Sequence, residues 1–168
     1  MGDTLEFFNT YRVPAQHLVS FLLAGAIWRW GGGPERWLIG VFIATMVLPI
    51  YMFWMIEPGR ELGGLRGAAY LLLDVVAAGL FVAIALNANR NYPLWIAAFQ
   101  LVAVVAHSVN TAVGSGSPLA FAILIIGPSY CQLLLLIAGF VRHVMRQRRF
   151  GAYRDWRHAP PSMAWLRP

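Results

Sequence analysis

The chain of 168 residues has no lysine and a single cysteine, and only 12% of its residues are charged. One cysteine excludes an intrachain disulfide framework and a cysteine-based zinc site. Cys131 lies in an apolar run, where its thiol is expected to be a small buried core group. The missing lysine, beside abundant Ala, Gly and Pro, reads as codon bias rather than function. There is no CxxCH motif for covalent haem, no internal repeat and no low-complexity tract. The loops hold too few polar residues to assemble a nucleophile, a base and a stabilising group, so no catalytic constellation is legible. Asp3 and Glu6 precede the first apolar run with only Arg12 against them. A cleaved signal needs leading positive charge, so none is expected here.

What the chain has in excess is apolar surface. Hydrophobic residues make up 59% of it, and the mean hydropathy is +0.61. Soluble domains carry roughly 45–50% apolar and about 25% charged residues. A soluble fold of this length cannot bury the difference, whereas a bilayer can. The fold class expected is therefore all-α, a polytopic transmembrane bundle forming one domain.

A span needs about 20 apolar residues at about 1.5 Å rise each. Trp37–Ile56 has no charge, and Gly67–Leu86 has only Asp74. Leu94–Val113 and Pro118–Val141 follow, and the weakest candidate is Val13–Trp28, with Pro14 expected in the first turn of its helix. Five spans are expected, or four if the first segment lies at the interface. Short loops rich in Gly, Pro and Asn separate them and make successive helices antiparallel neighbours.

Arginine placement sets the orientation. Ten of the thirteen arginines fall on one side of a five-span arrangement, and Arg12, Arg60 and Arg66 fall on the other with four of the acids. The expected organisation is an extracytoplasmic segment (1–12), a bundle (13–141) and a basic cytoplasmic tail (142–168). Trp28, Trp30, Trp37, Trp54, Trp95, Tyr51 and Tyr92 lie near span ends, as an interfacial aromatic belt would. In the tail, Arg142, Arg146, Arg148 and Arg149 are expected to meet anionic lipid headgroups. The net charge of +6 flanks apolar segments rather than lining a soluble face, so nucleic acid is not an expected partner.

Ionisable groups inside a span are expensive and point to function. Asp74 is the only acid within any span. Reflecting position 74 through the turn at Arg90 and Asn91 lands on His107, so the two should lie level on neighbouring helices. Gln100, His107, Asn110 and Thr111 fall on one helical face, with Ala103 among them. His17 and Ser20 form a smaller polar face on the first segment. The last span should break at Gly127–Gln132, where Pro128, Ser129 and Gln132 interrupt the apolar run.

The stretch from Trp28 to Arg36 (WRWGGGPER) and that from Arg90 to Gln100 (RNYPLWIAAFQ), running on to His107, are similar to short multi-pass inner-membrane proteins of sphingomonad-type alphaproteobacteria. The resemblance implies a bacterial inner-membrane setting. It brings no activity, cofactor or site residue with it.

Three functional readings stay open. The first is a non-catalytic accessory or scaffold subunit, partnered by the bilayer and by another membrane protein or a second copy. The second is a small proton-coupled transporter using Asp74 and His107. The third is a redox subunit in which His17 and His107 ligate a haem or chlorophyll-type pigment.

Overall fold

The computed structural model describes residues 2–56, 65–113, 118–151 and 154–157, with the side chains of 2–9, 54–56, 65–66, 110–113, 118–122 and 125 excepted. The expected positions Trp54, Asn110 and Thr111 thus lie outside the described side chains. Helix α1 spans Gly2–Trp30. Helix α2 (Gly33–Phe42), a π-helical turn (Ile43–Val47) and α3 (Leu48–Ile56) form one continuous rod. Helices α4 (Leu65–Asn87), α5 (Tyr92–Val113) and α6 (Pro118–Phe150) complete the bundle.

Proline placement explains two of these helices. Pro49 has no N–H to give the carbonyl of Thr45, and the preceding turn widens, with Leu48 N–H bonding Ile43 O five residues back. Pro128, by contrast, does not break α6, which runs through it to Phe150. The turn keeps a polar contact because Ser129 Oγ donates to the Ile126 carbonyl at 2.8 Å. The expected interruption at Gly127–Gln132 is therefore corrected to a continuous helix. Pro14 also sits inside a helix rather than in its first turn, because α1 starts at Gly2.

Among the described residues, four stretches are long and apolar enough to cross a membrane. These are Gly33–Phe53, Gly67–Asn87, Tyr92–Val109 and Ile126–Phe150. The first segment does not reach that apolarity. Large apolar side chains face outward on every one of the five rods, among them Leu22, Met52, Leu72, Val105 and Leu134. In water such a surface would drive aggregation, and in a bilayer it is the lipid-facing side.

The rods close into a ring. Helix α1 packs on α2 and α6, α2 on α4, α4 on α5, and α5 on α6. Two ends can be distinguished. One carries Arg12, the start of α4 and the end of α5. The other carries Arg36, Arg90 and the C-terminal turns of α6. The apolar core fills the half toward Arg90, with Ile27, Leu38, Phe42, Phe81, Ile96 and Leu136 fully buried there. Residues 142–150, the first part of the basic segment, are helical and continuous with α6.

Candidate functional site

Among the described residues, the half of the bundle toward Arg12 is not filled. A cavity of about 380 Å³ lies there, and every one of the five rods contributes to its wall. From α1 come Arg12, Gln16 and His17, and from the π-helical turn Thr45. Tyr70 and Asp74 come from α4, Gln100, Ala103 and His107 from α5, and Ser129, Tyr130 and Gln132 from α6.

Helical spacing places these groups. Gln100, Ala103 and His107 share the inward face of α5, and Asp74 faces them from α4. Nδ1 of His107 meets Oδ2 of Asp74, and the other carboxylate oxygen accepts from Gln100 Nε2 at 2.9 Å. Gln100 Oε1 in turn accepts from Gln132 Nε2 at 2.8 Å, and the same amide reaches the Ile96 carbonyl at 3.3 Å. A relay His107–Asp74–Gln100–Gln132 thus ties α4, α5 and α6 together. Asp74, Gln100 and Gln132 are all buried. Gln132, expected at a helix break, is the far end of this relay. Among the described residues its buried Oε1 has no hydrogen-bond partner, an acceptor left open in the cavity wall.

A second polar group forms on the α1 side. His17 Nδ1 lies 2.9 Å from the Tyr51 hydroxyl, with the ring centroids 5.2 Å apart. Gln16 Nε2 donates to Ser129 Oγ at 3.2 Å, which joins α1 to α6 across the cavity. Ser20, on the same face as His17, instead bonds the Gln16 carbonyl of its own helix. Thr45 Oγ1 likewise donates to the Val41 carbonyl, within the rod that the π-helical turn distorts. Such widened turns cluster at functional sites. His17 and His107 both line the cavity, each with Nδ1 already engaged. Among the described residues no group of three or more His, Cys, Asp or Glu could hold a metal ion.

The opposite end is closed by an ionic cluster that sequence reasoning missed. Glu35 is fully buried, with Arg90 against one carboxylate oxygen and the Tyr92 hydroxyl donating to it at 2.8 Å. Arg90 also reaches Asp155 at 2.6 Å and donates to His143 Nδ1 at 3.0 Å. Residues 154–157 lie across this end as a strap. Asn89 N–H bonds the Asp155 carbonyl at 3.0 Å, Arg157 N–H bonds the Asn87 carbonyl at 2.9 Å, and Ala88 bridges Trp156. Tyr92, expected in the interfacial belt, is drawn inward to Glu35, while Trp28, Trp30, Trp37 and Trp95 are exposed.

Glycines make the docking possible. A Cβ on Gly33 would lie 2.7 Å from the Trp156 indole nitrogen, and one on Gly32 would lie 2.8 Å from the Asp155 carboxylate. On Gly139 it would meet the Tyr92 ring at 2.6 Å. Gly139→Ala is therefore expected to push Tyr92 off Glu35 and lower stability by about 1–3 kcal/mol. Thermal unfolding in detergent checks this, and an unchanged melting temperature would contradict the packing described.

No family model, curated protein or solved structure matches the chain.

Proposed function

We propose that the protein is a small proton-coupled membrane carrier for a polar solute bearing an amine. The observation that carries this reading is a buried Asp–His pair in the wall of a cavity to which all five rods contribute. Hydrogen-bonded register glue would need the pair but not the space beside it. The sequence alone favours an accessory subunit, and the cavity beside the pair is what supports the carrier reading instead.

The chemistry follows from charge. Asp74 and His107 together are neutral with one shared proton and anionic without it. An uncompensated carboxylate inside a bilayer is costly, so a cation entering the cavity can take the place of the shared proton. A protonated amine is such a cation. It would also donate to the open Gln132 acceptor. The carrier thereby exchanges one proton for one amine. The packed core and the ionic cluster close the Arg90 end, and the cavity lies on the Arg12 side of them.

This reading includes five spans with the N-terminus outside and the C-terminus in the cytoplasm, in a bacterial inner membrane. Support for α1 as a span comes from the cavity itself. If α1 lay on the surface, the wall of Arg12, Gln16 and His17 would be missing. Its face of His17, Ser20, Leu23 and Ile27 is buried, while Leu18 and Leu22 face out. The arginine asymmetry supports the orientation.

Equilibrium binding of a panel of small amines, amino acids and carboxylates to the purified protein tests the reading. At least one amine is expected to bind, and Gln132→Leu should weaken it about tenfold, the worth of one hydrogen bond to a charged group. A panel in which no amine binds, or binding indifferent to Gln132, would refute it.

A further inference from the structure

A different cavity lies at the Arg90 end, between the α1–α2 turn and the last turns of α6. Its volume is about 570 Å³, and its wall includes Arg29, Arg36, Arg148, His143 and Asp155. The three outermost guanidiniums come from three helices: the last turn of α1, the first turns of α2 and the last turn of α6. Asp155 is the only acid in the wall, and it is already taken. Arg90 holds one of its oxygens at 2.6 Å, and the Gly33 N–H donates to the other at 3.0 Å. Arg29, which lies over the Trp30 ring at 5.7 Å, Arg36 and Arg148 have no carboxylate partner among the described residues.

Three exposed arginines line one concavity, and an anion among them would offset their mutual repulsion. Guanidinium groups match phosphate oxygens in pairs, and they bind phosphate more selectively than a point charge does. The exposed Trp30 ring in the cavity wall suits the headgroup level of a bilayer.

We infer that this cavity is a phosphate-binding site, filled by the phosphodiester of an anionic lipid headgroup or by free phosphate. It is separate from the amine cavity and does not depend on the carrier reading. The sequence treats the basic end of α6 as a uniform anchor, whereas the fold singles out Arg148, which lines the cavity, from its neighbour Arg149, which lies over the Phe150 ring.

That pair of neighbours supplies the test. The full chain in a neutral detergent is titrated with phosphatidylglycerol and, separately, with inorganic phosphate, and the melting temperature is followed. Arg148→Gln and Arg149→Gln remove the same charge one residue apart. Stabilisation by phosphatidylglycerol with an apparent Kd about tenfold weaker in Arg148→Gln, and unchanged in Arg149→Gln, is the expected result. The same Arg148 dependence with inorganic phosphate would identify free phosphate as a sufficient ligand, and its absence would assign the site to the lipid. Equal weakening by both substitutions would reduce the effect to diffuse surface charge and overturn the site, as would stabilisation by neither ligand. Should Arg148→Gln fail to fold, Arg36→Gln carries the same expectation.

Discussion

Arg90→Ala is expected to lower the unfolding free energy by about 3–5 kcal/mol, the largest effect of any single substitution considered. The reason is what it leaves behind. Glu35 is fully buried, and without Arg90 its charge keeps, among the described residues, only the Tyr92 hydroxyl. Asp155 would lose its 2.6 Å guanidinium contact, and with it the residue that holds the strap over the bundle end. Lysine should not rescue the site, because an ammonium cannot bridge Glu35, Asp155 and His143 at once as the planar guanidinium does. Removing both charges together, as Glu35→Gln with Arg90→Met, should cost far less than Arg90→Ala alone. Denaturant unfolding in mixed micelles gives all three values. A loss below about 1 kcal/mol for Arg90→Ala would place the cluster among ordinary surface ion pairs.

Asp74→Asn should behave in the opposite way, with a small effect on the fold and a large one on pH dependence. Asparagine keeps an oxygen for Gln100 and stays close to His107, so the three helices remain tied. Interhelical hydrogen bonds in membranes average about 0.6 kcal/mol and reach about 1.7, which bounds the expected loss of stability. The function of the pair is another matter. In the wild type a bound amine displaces a proton, so amine affinity should rise with pH. The asparagine variant has no carboxylate to release that proton, and the slope should vanish. A slope that survives in Asp74→Asn would mean that the linked proton resides elsewhere.

Local periodicity made part of this site legible. Asp74 and His107 belong to one hairpin, so counting residues back through a short turn was enough to set them level. Gln100 followed from the same helical face. Gln132 did not, because a proline four residues before it suggested an interrupted helix, and only packing of α6 against α5 brings its amide to Gln100. The cavity was also illegible, since its wall draws on five rods whose order around the ring no local pattern encodes. Arg90 was read only as one of the arginines that set orientation, and Glu35 and Asp155 carried no reading of their own. Arg90 meets Glu35 from 55 residues away and Asp155 from 65, and Gly33 meets Asp155 from 122, separations that no local pattern encodes. One signal was available. Two acids and an arginine on the same side, beside a run of three glycines at 31–33, fit a close-packed ionic contact better than a solvated turn.

The central claim is that solute and proton exchange at Asp74 and His107. Proteoliposomes loaded with a pH-sensitive dye test it most directly, using an amine that binds the purified protein. With the wild type, an inward amine gradient should drive protons out and make the lumen more alkaline, and Asp74→Asn vesicles of equal protein content should show no such change. If wild-type and Asp74→Asn vesicles respond alike, or if the amine moves without any pH change, the exchange account is wrong and the Asp74–His107 pair serves only to hold the helices in register.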